Sequence, residues 1–462
     1  MPWTPRSAAG APTRYQGIVE ALESDVADGK VQPGERLPPQ RTVAKALGVD
    51  LTTVTRAFNE ARRRGLIEAQ SGRGTFISGL ADGRGTSADS GSEVGIDLSM
   101  NIPPQPGAAR MQQRIVDGMT ELLRNPGGLL RYSYQESTGH PADRQAGALW
   151  LRDRLGEVRP SRIAVAAGAQ AALFALCTLL LRPGETLAAA AMTYPGLKAV
   201  AMQCRLRLAA VEIDGDGIIP ESFAELCARA APKALYVVSS IDNPTTGTLP
   251  LERRQALVEI ARRHAVRIIE DDPYAPLLAE PVASIAALAP EITWHLATLS
   301  KSATPALRVA HVVAPDPAQA LELAGVLRAT TLMAPPLMTA LASRWIADGS
   351  LAAIVAAIRE ENRRRQALAA TILDPAMVAM NPEGPHLWLR LPEPWQADDF
   401  ARRAAGSGIA IVPGSAFAVA PPRIEAVRLS LGAVLADDVL REALRRLSAF
   451  MANRSLAPYA IV

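Results

Sequence analysis

The stretch Thr298-Leu-Ser-Lys301-Ser-Ala-Thr-Pro-Ala-Leu-Arg308 places a lysine seven residues before an arginine. A lysine amine forms an imine with a carbonyl cofactor, and an arginine a short loop away can hold the phosphate of that cofactor. Pyridoxal 5'-phosphate needs both interactions, one covalent and one electrostatic. Serine–lysine pairs are common on protein surfaces, so this interpretation depends on the residues that follow the neighbouring strands.

Short apolar strands alternate with alanine- and leucine-rich helices around this stretch. The strands are predicted at residues 162–166, 186–190, 234–238, 267–269 and 294–297. This alternation is typical of a mainly parallel sheet that is covered by helices on both faces, so we predict an α/β body. Ligands of such folds bind at the carboxyl ends of the strands.

The residues that follow the predicted strands supply candidates for each part of the cofactor. Ala169 and Gln170 follow the first strand and begin an uncharged helix, whose amides and dipole favour a phosphate. Tyr194 follows the second strand, and its ring can cover a planar cofactor. The candidates after the third, fourth and fifth strands are Asn243, Asp271, Tyr274, Thr298 and Lys301.

Asp271 and Tyr274 suit the electronic needs of a pyridine ring. A carboxylate beside the ring nitrogen keeps that nitrogen protonated and makes the ring an electron sink, and a tyrosine at the ring hydroxyl tunes the imine. Asn243 offers an amide donor. Acidic residues at strand ends could instead bind magnesium, but Lys301 and Arg308 count against this alternative, and we predict no metal site.

The length and composition indicate a large protein of more than one domain, since 462 residues exceed one ordinary domain and 48% of them are hydrophobic. The three cysteines are odd in number and lack metal spacing, which favours a reducing cytoplasm. No secretory signal is visible. The uncharged segment 163–181 is interrupted by glycine and polar residues, so it predicts a buried strand and helix and no membrane span.

The net charge of +3 belongs to the first eighty residues, which hold 11 Lys and Arg against 8 Asp and Glu. Three helices are predicted there, at residues 13–28, 38–48 and 51–64. Two short strands follow, joined through Ser71-Gly-Arg-Gly74. This order predicts a winged helix-turn-helix, whose third helix enters the major groove of DNA.

The same segment contains the motifs Gly34-Glu-Arg-Leu-Pro-Pro-Gln-Arg41, Thr53-Val-Thr-Arg-Ala57 and Gly72-Arg-Gly-Thr-Phe76. They resemble the GntR family of bacterial transcriptional regulators over nearly the whole module. The resemblance implies double-stranded operator DNA as a partner. Leu51 stands where the family often has an arginine, so the base preference does not carry over. The implied DNA contacts are Arg36, Arg41, Thr52, Thr55 and Arg73.

The body contains Asn243-Pro-Thr-Thr-Gly247, Asp271-Asp-Pro-Tyr274, and Ser300-Lys301 with Arg308. These motifs resemble fold-type I aminotransferases in their order and intervals. The resemblance implies pyridoxal phosphate as the cofactor, Lys301 as its Schiff-base lysine, and a smaller α+β domain beside the large sheet. The stretches that match the small domain are 384–389, 412–417 and 427–430.

Two residues take their roles only from this resemblance. Arg428 matches the arginine that pairs with the substrate's α-carboxylate, for which a planar guanidinium is suited. Tyr134 matches a tyrosine that reaches the cofactor phosphate of the partner subunit, so a homodimer is expected. The extra threonine in the Asn-Pro motif and Ala169, where serine is frequent, are departures that affect phosphate binding.

Together the resemblances divide the chain into a winged helix-turn-helix at 12–78, a flexible linker at 79–95 and an aminotransferase-like body at 96–455. The large domain of the body is expected at about 140–335. This combination resembles the MocR-type regulators of bacteria. It implies a cytoplasmic regulator that senses an amino acid or other amine by imine exchange at Lys301.

Two alternatives remain open at this point. The body could be a working aminotransferase that passes an amino group to a 2-oxo acid and uses the head only for localisation or autoregulation. It could also have lost the cofactor and serve DNA binding alone. Residue types do not identify the effector, the operator or the sign of regulation. The side-chain pocket is expected to be formed by loops such as Asn101 to Gly107 and by the partner subunit, and its specificity does not follow from residue types.

Overall fold

The computed structural model describes residues 3, 13–27, 30–31, 35–63, 66–70, 74–77, 95–124, 133–421, 424–434 and 436–453. The chain divides into two compact units, Met1–Ser92 and Glu93–Val462. Of the predicted linker at 79–95, only Gly95 is among the described residues. Each unit has a hydrophobic core of its own.

Three helices and a hairpin form the N-terminal unit. The elements are α1 (Arg14–Ala27), α2 (Gln40–Leu47), α3 (Leu51–Arg63), β1 (Ile67–Gln70) and β2 (Gly74–Ile77). The two strands are antiparallel, and this arrangement is the winged helix-turn-helix that the sequence predicts.

Local sequence explains where these helices end and pack. Gly48 ends α2 with a φ of +61°, a conformation that glycine adopts readily. Val54 and Phe58 lie four residues apart on one face of α3, where both are buried against Ile18 of α1.

The body is built on a seven-stranded sheet. Its strands are β4 (Ile163–Ala166), β5 (Thr186–Ala190), β6 (Arg207–Val211), β9 (Ala234–Val237), β10 (Arg267–Asp271), β11 (Thr293–Thr298) and β12 (Ala310–Val313), with the small hairpin of β7 (Ile213–Asp214) and β8 (Gly217–Ile218) between β6 and β9 in the chain. The order across the sheet is β4-β12-β11-β10-β9-β5-β6. Strand β12 pairs antiparallel with both neighbours, and the other pairings are parallel.

Helices cover both faces of this sheet. Ile268 and Ile269 are adjacent on β10 but belong to separate apolar clusters, because successive side chains of a strand point to opposite faces. The predicted α/β architecture is therefore confirmed. The helices are α4 (Met111–Arg124), α5 (Pro141–Leu155), α6 (Ala169–Leu180), α7 (Pro195–Gln203), α8 (Pro220–Ala230), α9 (Leu251–Arg263), α10 (Ile285–Leu288), α11 (Pro317–Thr330) and α12 (Pro336–Ala347).

A smaller α+β domain completes the body. It contains α13 (Ser350–Ala370), β13 (Val378–Met380), β14 (His386–Arg390), α14 (Ala397–Gly406), β15 (Ile409–Ala410), β16 (Val412–Pro413), β17 (Ala426–Ser430) and α15 (Asp437–Ala452). Four of the strands form a sheet in the order β13-β14-β17-β16. The start of the body, β3 (Ile96–Asp97), pairs with β15, so the segment after the predicted linker belongs to this domain.

Within the described ranges, no single helix is long and apolar enough to cross a membrane. Helices α12 and α13 meet such a length and composition test only as a pair bent by 83°. The uncharged segment 163–181 is divided between β4 and α6, as the predicted strand and helix require.

Candidate cofactor and ligand site

The candidate site lies at the carboxyl ends of the central strands. Asp271 ends β10, and Lys301 follows β11 by three residues. Asn243 follows β9, and Gly168 lies between β4 and α6. Because these strands run parallel to one another, their following loops meet at one edge of the sheet.

Lys301 lies in a largely dry environment. Burial, and to a smaller extent the positive charge of Arg428, lower the pKa of its amine to about 8, against the opposing effect of Asp271. The Nζ atom donates a hydrogen bond to the backbone oxygen of Asn101. An amine with a lowered pKa is more often neutral near pH 7, and only the neutral form attacks a carbonyl carbon.

Asp271 keeps one carboxylate oxygen for a ligand. Its Oδ2 accepts a hydrogen bond of 2.7 Å from the hydroxyl of Tyr236, whereas its buried Oδ1 has no partner among the residues that the structure describes. Burial raises the pKa of Asp271 to about 6, against the hydrogen bond from Tyr236. An unpaired buried oxygen costs free energy unless a donor such as a pyridinium N–H reaches it.

Asn243 and Arg428 form a hydrogen-bonded pair. Arg428 Nη1 donates to Asn243 Oδ1 at 2.9 Å, which leaves the amide hydrogens of Asn243 available to a ligand. Arg428 Nη2 donates to the backbone oxygen of Ser99, and its guanidinium lies 5.0 Å from the ring centre of Phe417. The fork is buried and oriented, as recognition of a carboxylate requires.

Tyr274 is connected to the start of the body. Its hydroxyl oxygen accepts a hydrogen bond of 2.9 Å from Asn101 Nδ2, and the same amide lies 3.4 Å from His386 Nδ1. Burial raises the pKa of the Tyr274 phenol, so the hydroxyl keeps its proton near neutral pH.

Hydrogen bonds also hold Tyr194, the residue that is predicted to cover the cofactor ring. The hydroxyl of Tyr194 donates to Gln170 Oε1 at 3.2 Å, and Gln170 Nε2 donates to the backbone oxygen of Gly196 at 3.0 Å. A Cβ atom at Gly196 would lie 2.2 Å from the Tyr194 ring, so only glycine leaves room for it. Gln170 therefore orients Tyr194.

The loop between β4 and α6 forms a cradle for an anion. Gly168 has a φ of +89°, and a Cβ atom there would lie 3.1 Å from the guanidinium carbon of Arg308. Arg308 Nη2 donates to the backbone oxygen of Ala167 at 3.4 Å, and Ala169 begins α6. The backbone amides at the start of α6 and the guanidinium of Arg308 thus both lie beside Gly168, an arrangement that suits a phosphate.

Thr298 supports the loop that carries Lys301. Its buried hydroxyl donates to the backbone oxygen of Val309 at 3.2 Å and accepts from the amide of Ser300 at 3.3 Å. Tyr134 is different, because 82% of its surface is exposed.

The described residues fit pyridoxal phosphate. They offer an amine, an unpaired buried carboxylate oxygen and an anion cradle, at the end of adjacent strands. Within the part of the chain that the structure describes, no group of three or more His, Cys, Asp or Glu side chains could hold a metal ion.

Two residues near the site, Tyr236 and His386, were not predicted as parts of it, and Asn101 was expected only within a loop that helps to form the side-chain pocket. Tyr236 lies inside an apolar strand and looks like a core residue in the sequence. His386 lies in a motif that was assigned to the small domain, and Asn101 lies in a predicted extended segment. A polar side chain within an apolar stretch was the only available signal.

In the N-terminal unit, Arg36, Arg41 and Thr52 are exposed. Thr52 Oγ1 donates to Asp50 at the start of α3, and Thr55 Oγ1 donates to Gln40 of α2 at 2.9 Å. Arg73, at the tip of the predicted wing, lies outside the described residues.

The fold and site together define a class, a winged helix-turn-helix joined to an aminotransferase-like body. The family of class I and II aminotransferases matches residues 93–447, and the gntR family of bacterial regulatory proteins matches residues 14–77. The chain belongs to the class I and II aminotransferase family through its body and carries a gntR-family head. The predicted resemblance to MocR-type regulators is confirmed.

Two regulators are similar to nearly the whole chain, and a solved aminotransferase is similar to most of it. The uncharacterized HTH-type transcriptional regulator YdeF of Bacillus subtilis is 28% identical, over 96% of each chain. The probable rhizopine catabolism regulatory protein MocR of Rhizobium meliloti is 26% identical, over 96% of this chain and 94% of that protein. Among solved structures, kynurenine aminotransferase of Pyrococcus horikoshii is 25% identical with a TM-score of 0.71, over 78% of this chain and 91% of that chain.

Proposed function

We propose that this regulator binds pyridoxal phosphate at Lys301 and changes its occupancy of operator DNA when an amino compound takes the place of the lysine. The observation that carries the proposal is the buried amine of Lys301 together with the nearby carboxylate of Asp271, whose buried Oδ1 lacks a partner among the described residues. Buried carboxylate oxygens are usually hydrogen-bonded, so an unpaired one at the end of β10 supports a ligand donor at this position.

The residues divide the work of binding. When bound, pyridoxal phosphate supplies an aldehyde that accepts primary amines, one in exchange for another. Arg308 and the start of α6 would hold its phosphate, Asp271 would hold its ring nitrogen, and Asn243 and Tyr274 would bind its ring hydroxyl. Arg428 then selects amines that carry a carboxylate, because its fork is already oriented by Asn243.

The effector is therefore an amino acid or a related amine. It can shift the equilibrium between two conformations of the body only if it binds them with different affinity. We place this regulator in the bacterial cytoplasm as a homodimer, in which Tyr134 of each subunit completes the phosphate site of the other. The exposure of Tyr134 supports that role.

The test is operator binding by Lys301→Ala, with a duplex that the protein selects from a random pool. Occupancy by the unaltered protein is expected to change when pyridoxal phosphate and then an effective amine are added, whereas the variant should respond to neither. Lys233→Ala is the matched control, since Lys233 is an exposed lysine of the same body. A normal response by Lys301→Ala would overturn the proposal.

A second candidate function is amino-group transfer to a 2-oxo acid. The lowered pKa of Lys301 favours this function. A neutral lysine amine at this position can act as a base that moves a proton at the carbon next to the amino group of the substrate. Turnover at metabolic rates that does not depend on DNA would favour the enzyme over the sensor. Cofactor binding without turnover would favour the sensor.

A further inference from the structure

Asn101 makes two different contacts with the proposed site, although no motif pointed to it. Its backbone oxygen accepts from Lys301 Nζ, and its side-chain Nδ2 donates to the hydroxyl oxygen of Tyr274. It is buried, and it lies in the segment that follows β3. The backbone at Gly432 packs closely against this segment, since a Cβ atom at Gly432 would lie 1.8 Å from the backbone oxygen of Ile102.

His386 determines which way the Asn101 amide faces. Its Nε2 lies 3.0 Å from the backbone oxygen of Asp242, which can only accept, so the Nε2 atom must carry the ring hydrogen. Burial, with Arg428 and Lys301 nearby, lowers the pKa of His386 to about 3, so the ring is neutral and Nδ1 is an acceptor. The amide must then present its NH₂ group to Nδ1.

This orientation has a consequence for Tyr274. One hydrogen of Asn101 Nδ2 faces His386, and the other is donated to the Tyr274 oxygen. The phenol proton cannot point back toward an N–H donor, so it is directed away from Asn101. The Oδ1 atom of Asn101 is left buried without a partner among the described side chains and backbone, which is the cost of this arrangement.

We propose that Asn101, oriented by His386, is a positioning residue that directs the hydroxyl proton of Tyr274 toward the ring oxygen of the bound cofactor. The inference rests on the proposed function and adds two residues to its site. A proton donated to that oxygen stabilises its anionic form, so it lowers the pH at which the bound cofactor changes its protonation state. The other charged or titratable groups that act on Tyr274 are Arg428, Asp271, Asp242 and Tyr194.

The test is a pH titration of the visible absorbance of the cofactor in the full-length protein. Asn101→Asp supplies a carboxylate that accepts the Tyr274 proton and reverses its direction. We expect the titration midpoint to rise by about one pH unit, a tenfold change in proton affinity. Asn101→Ala releases the proton to rotate and should give a smaller rise. Gln105→Ala, in the same segment but bonded to Ala303, should leave the midpoint unchanged.

A double-mutant cycle separates positioning from a general structural effect. In a Tyr274→Phe background, Asn101→Ala should cause no further shift, because the proton that it directs is gone. Equal shifts in both backgrounds, or no shift in either, would overturn the role of Asn101. If Asn101→Ala does not fold, His386→Phe replaces it in the same cycle, since phenylalanine fills the site of the ring but accepts no hydrogen bond.

The two proposals fail in different ways. Absence of a visible band when the unaltered protein is saturated with pyridoxal phosphate would overturn both the proposed function and the role of Asn101. A band that shifts with amines, together with a midpoint that Asn101→Asp leaves unchanged, would overturn only the role of Asn101.

Discussion

Arg428 donates a hydrogen bond of 2.9 Å to Asn243, and this bond joins the small domain to the loop after β9. The same bond orients the guanidinium and commits the Asn243 oxygen, so the Asn243 amide can only donate to a ligand. One contact thus links the place where a carboxylate would bind to the place where a cofactor ring would lie.

The first prediction concerns Arg428. Arg428→Lys keeps the charge but loses the planar fork, so the protein should lose about 2 kcal/mol of preference for carboxylated amines over matched amines without the carboxylate. Spectral titrations with both kinds of amine measure this preference. Arg390→Lys is the control, because Arg390 is an exposed arginine on the neighbouring strand. An unchanged preference would remove Arg428 from the ligand site.

The second prediction compares two glycines with nearly the same φ. Gly168 and Gly184 have φ values of +89° and +86°, which L side chains rarely adopt, so alanine at either position should reduce the folding free energy. The ψ of Gly168 is 168°, a combination almost restricted to glycine, and the cost there should be about 1–3 kcal/mol. Only at Gly168 does the new methyl group meet Arg308. Gly168→Ala should therefore also weaken binding of pyridoxal phosphate, as measured by fluorescence titration, whereas Gly184→Ala should not.

The third prediction concerns Asp271 and pH. The unfolded chain ionises this group near 3.8, whereas the folded chain keeps the proton to about pH 6, so stability without cofactor falls as pH rises between these values. Asp271→Asn removes this loss, which is on the order of 3 kcal/mol. The variant should unfold at a higher temperature at pH 7 and yet bind the cofactor more weakly.

Asp374→Asn is the control for this pH effect, because Asp374 is exposed. Thermal unfolding of both variants and the unaltered protein at pH 4 and pH 7 checks the direction. If Asp271→Asn is less stable than the unaltered protein at pH 7, that result would contradict the raised pKa of Asp271.

The fourth prediction concerns the DNA-binding head. Arg41 is exposed at the start of α2, and Arg41→Ala should weaken binding to all duplexes and reduce the slope of log affinity against log salt by about one. Arg14→Ala removes an equal charge from the start of α1 and serves as the control. Fluorescence anisotropy at several salt concentrations distinguishes the two variants. Equal losses of DNA affinity in Arg41→Ala and Arg14→Ala would show that DNA binding depends only on the net charge of the head.

The fifth prediction tests the shared site. If Tyr134 completes the site of the partner subunit, a mixture of Lys301→Ala and Tyr134→Phe subunits contains dimers with one intact site. The mixture should regain cofactor absorbance that neither variant has alone at limiting pyridoxal phosphate. If Tyr134 acts within its own subunit, every site in the mixed dimer carries a defect and no absorbance returns.

The sequence was most informative about residues that follow strands. Lys301, Asp271 and Asn243 could be placed together because parallel strands bring their carboxyl ends to one edge, and the order of elements required no knowledge of distant contacts. The α/β body and the winged head followed from apolar periodicity and from the turn residues between helices.

Contacts between distant segments could not be predicted. Asn101 reaches Tyr274 across 173 residues and His386 across 285, and no local pattern encodes such a meeting. Tyr236 is embedded in a buried strand, so its hydroxyl bond to Asp271 depends on the pairing of β9 with β10. Strands β6 and β12 were missed, since β6 is half-exposed at the sheet edge and β12 is a short run that contains a histidine.

The spacing of Lys301 and Arg308 on one loop has a consequence for how long the cofactor stays. Under the proposed assignment two interactions hold the cofactor. An incoming amine can replace the covalent bond to Lys301, but it does not replace the ionic contact between Arg308 and the phosphate. An incoming amine would free Lys301 and leave the phosphate in the cradle beside Gly168. The signal would then be reversible without any loss of cofactor, and the response time would follow the departure of the amine and not the resupply of pyridoxal phosphate.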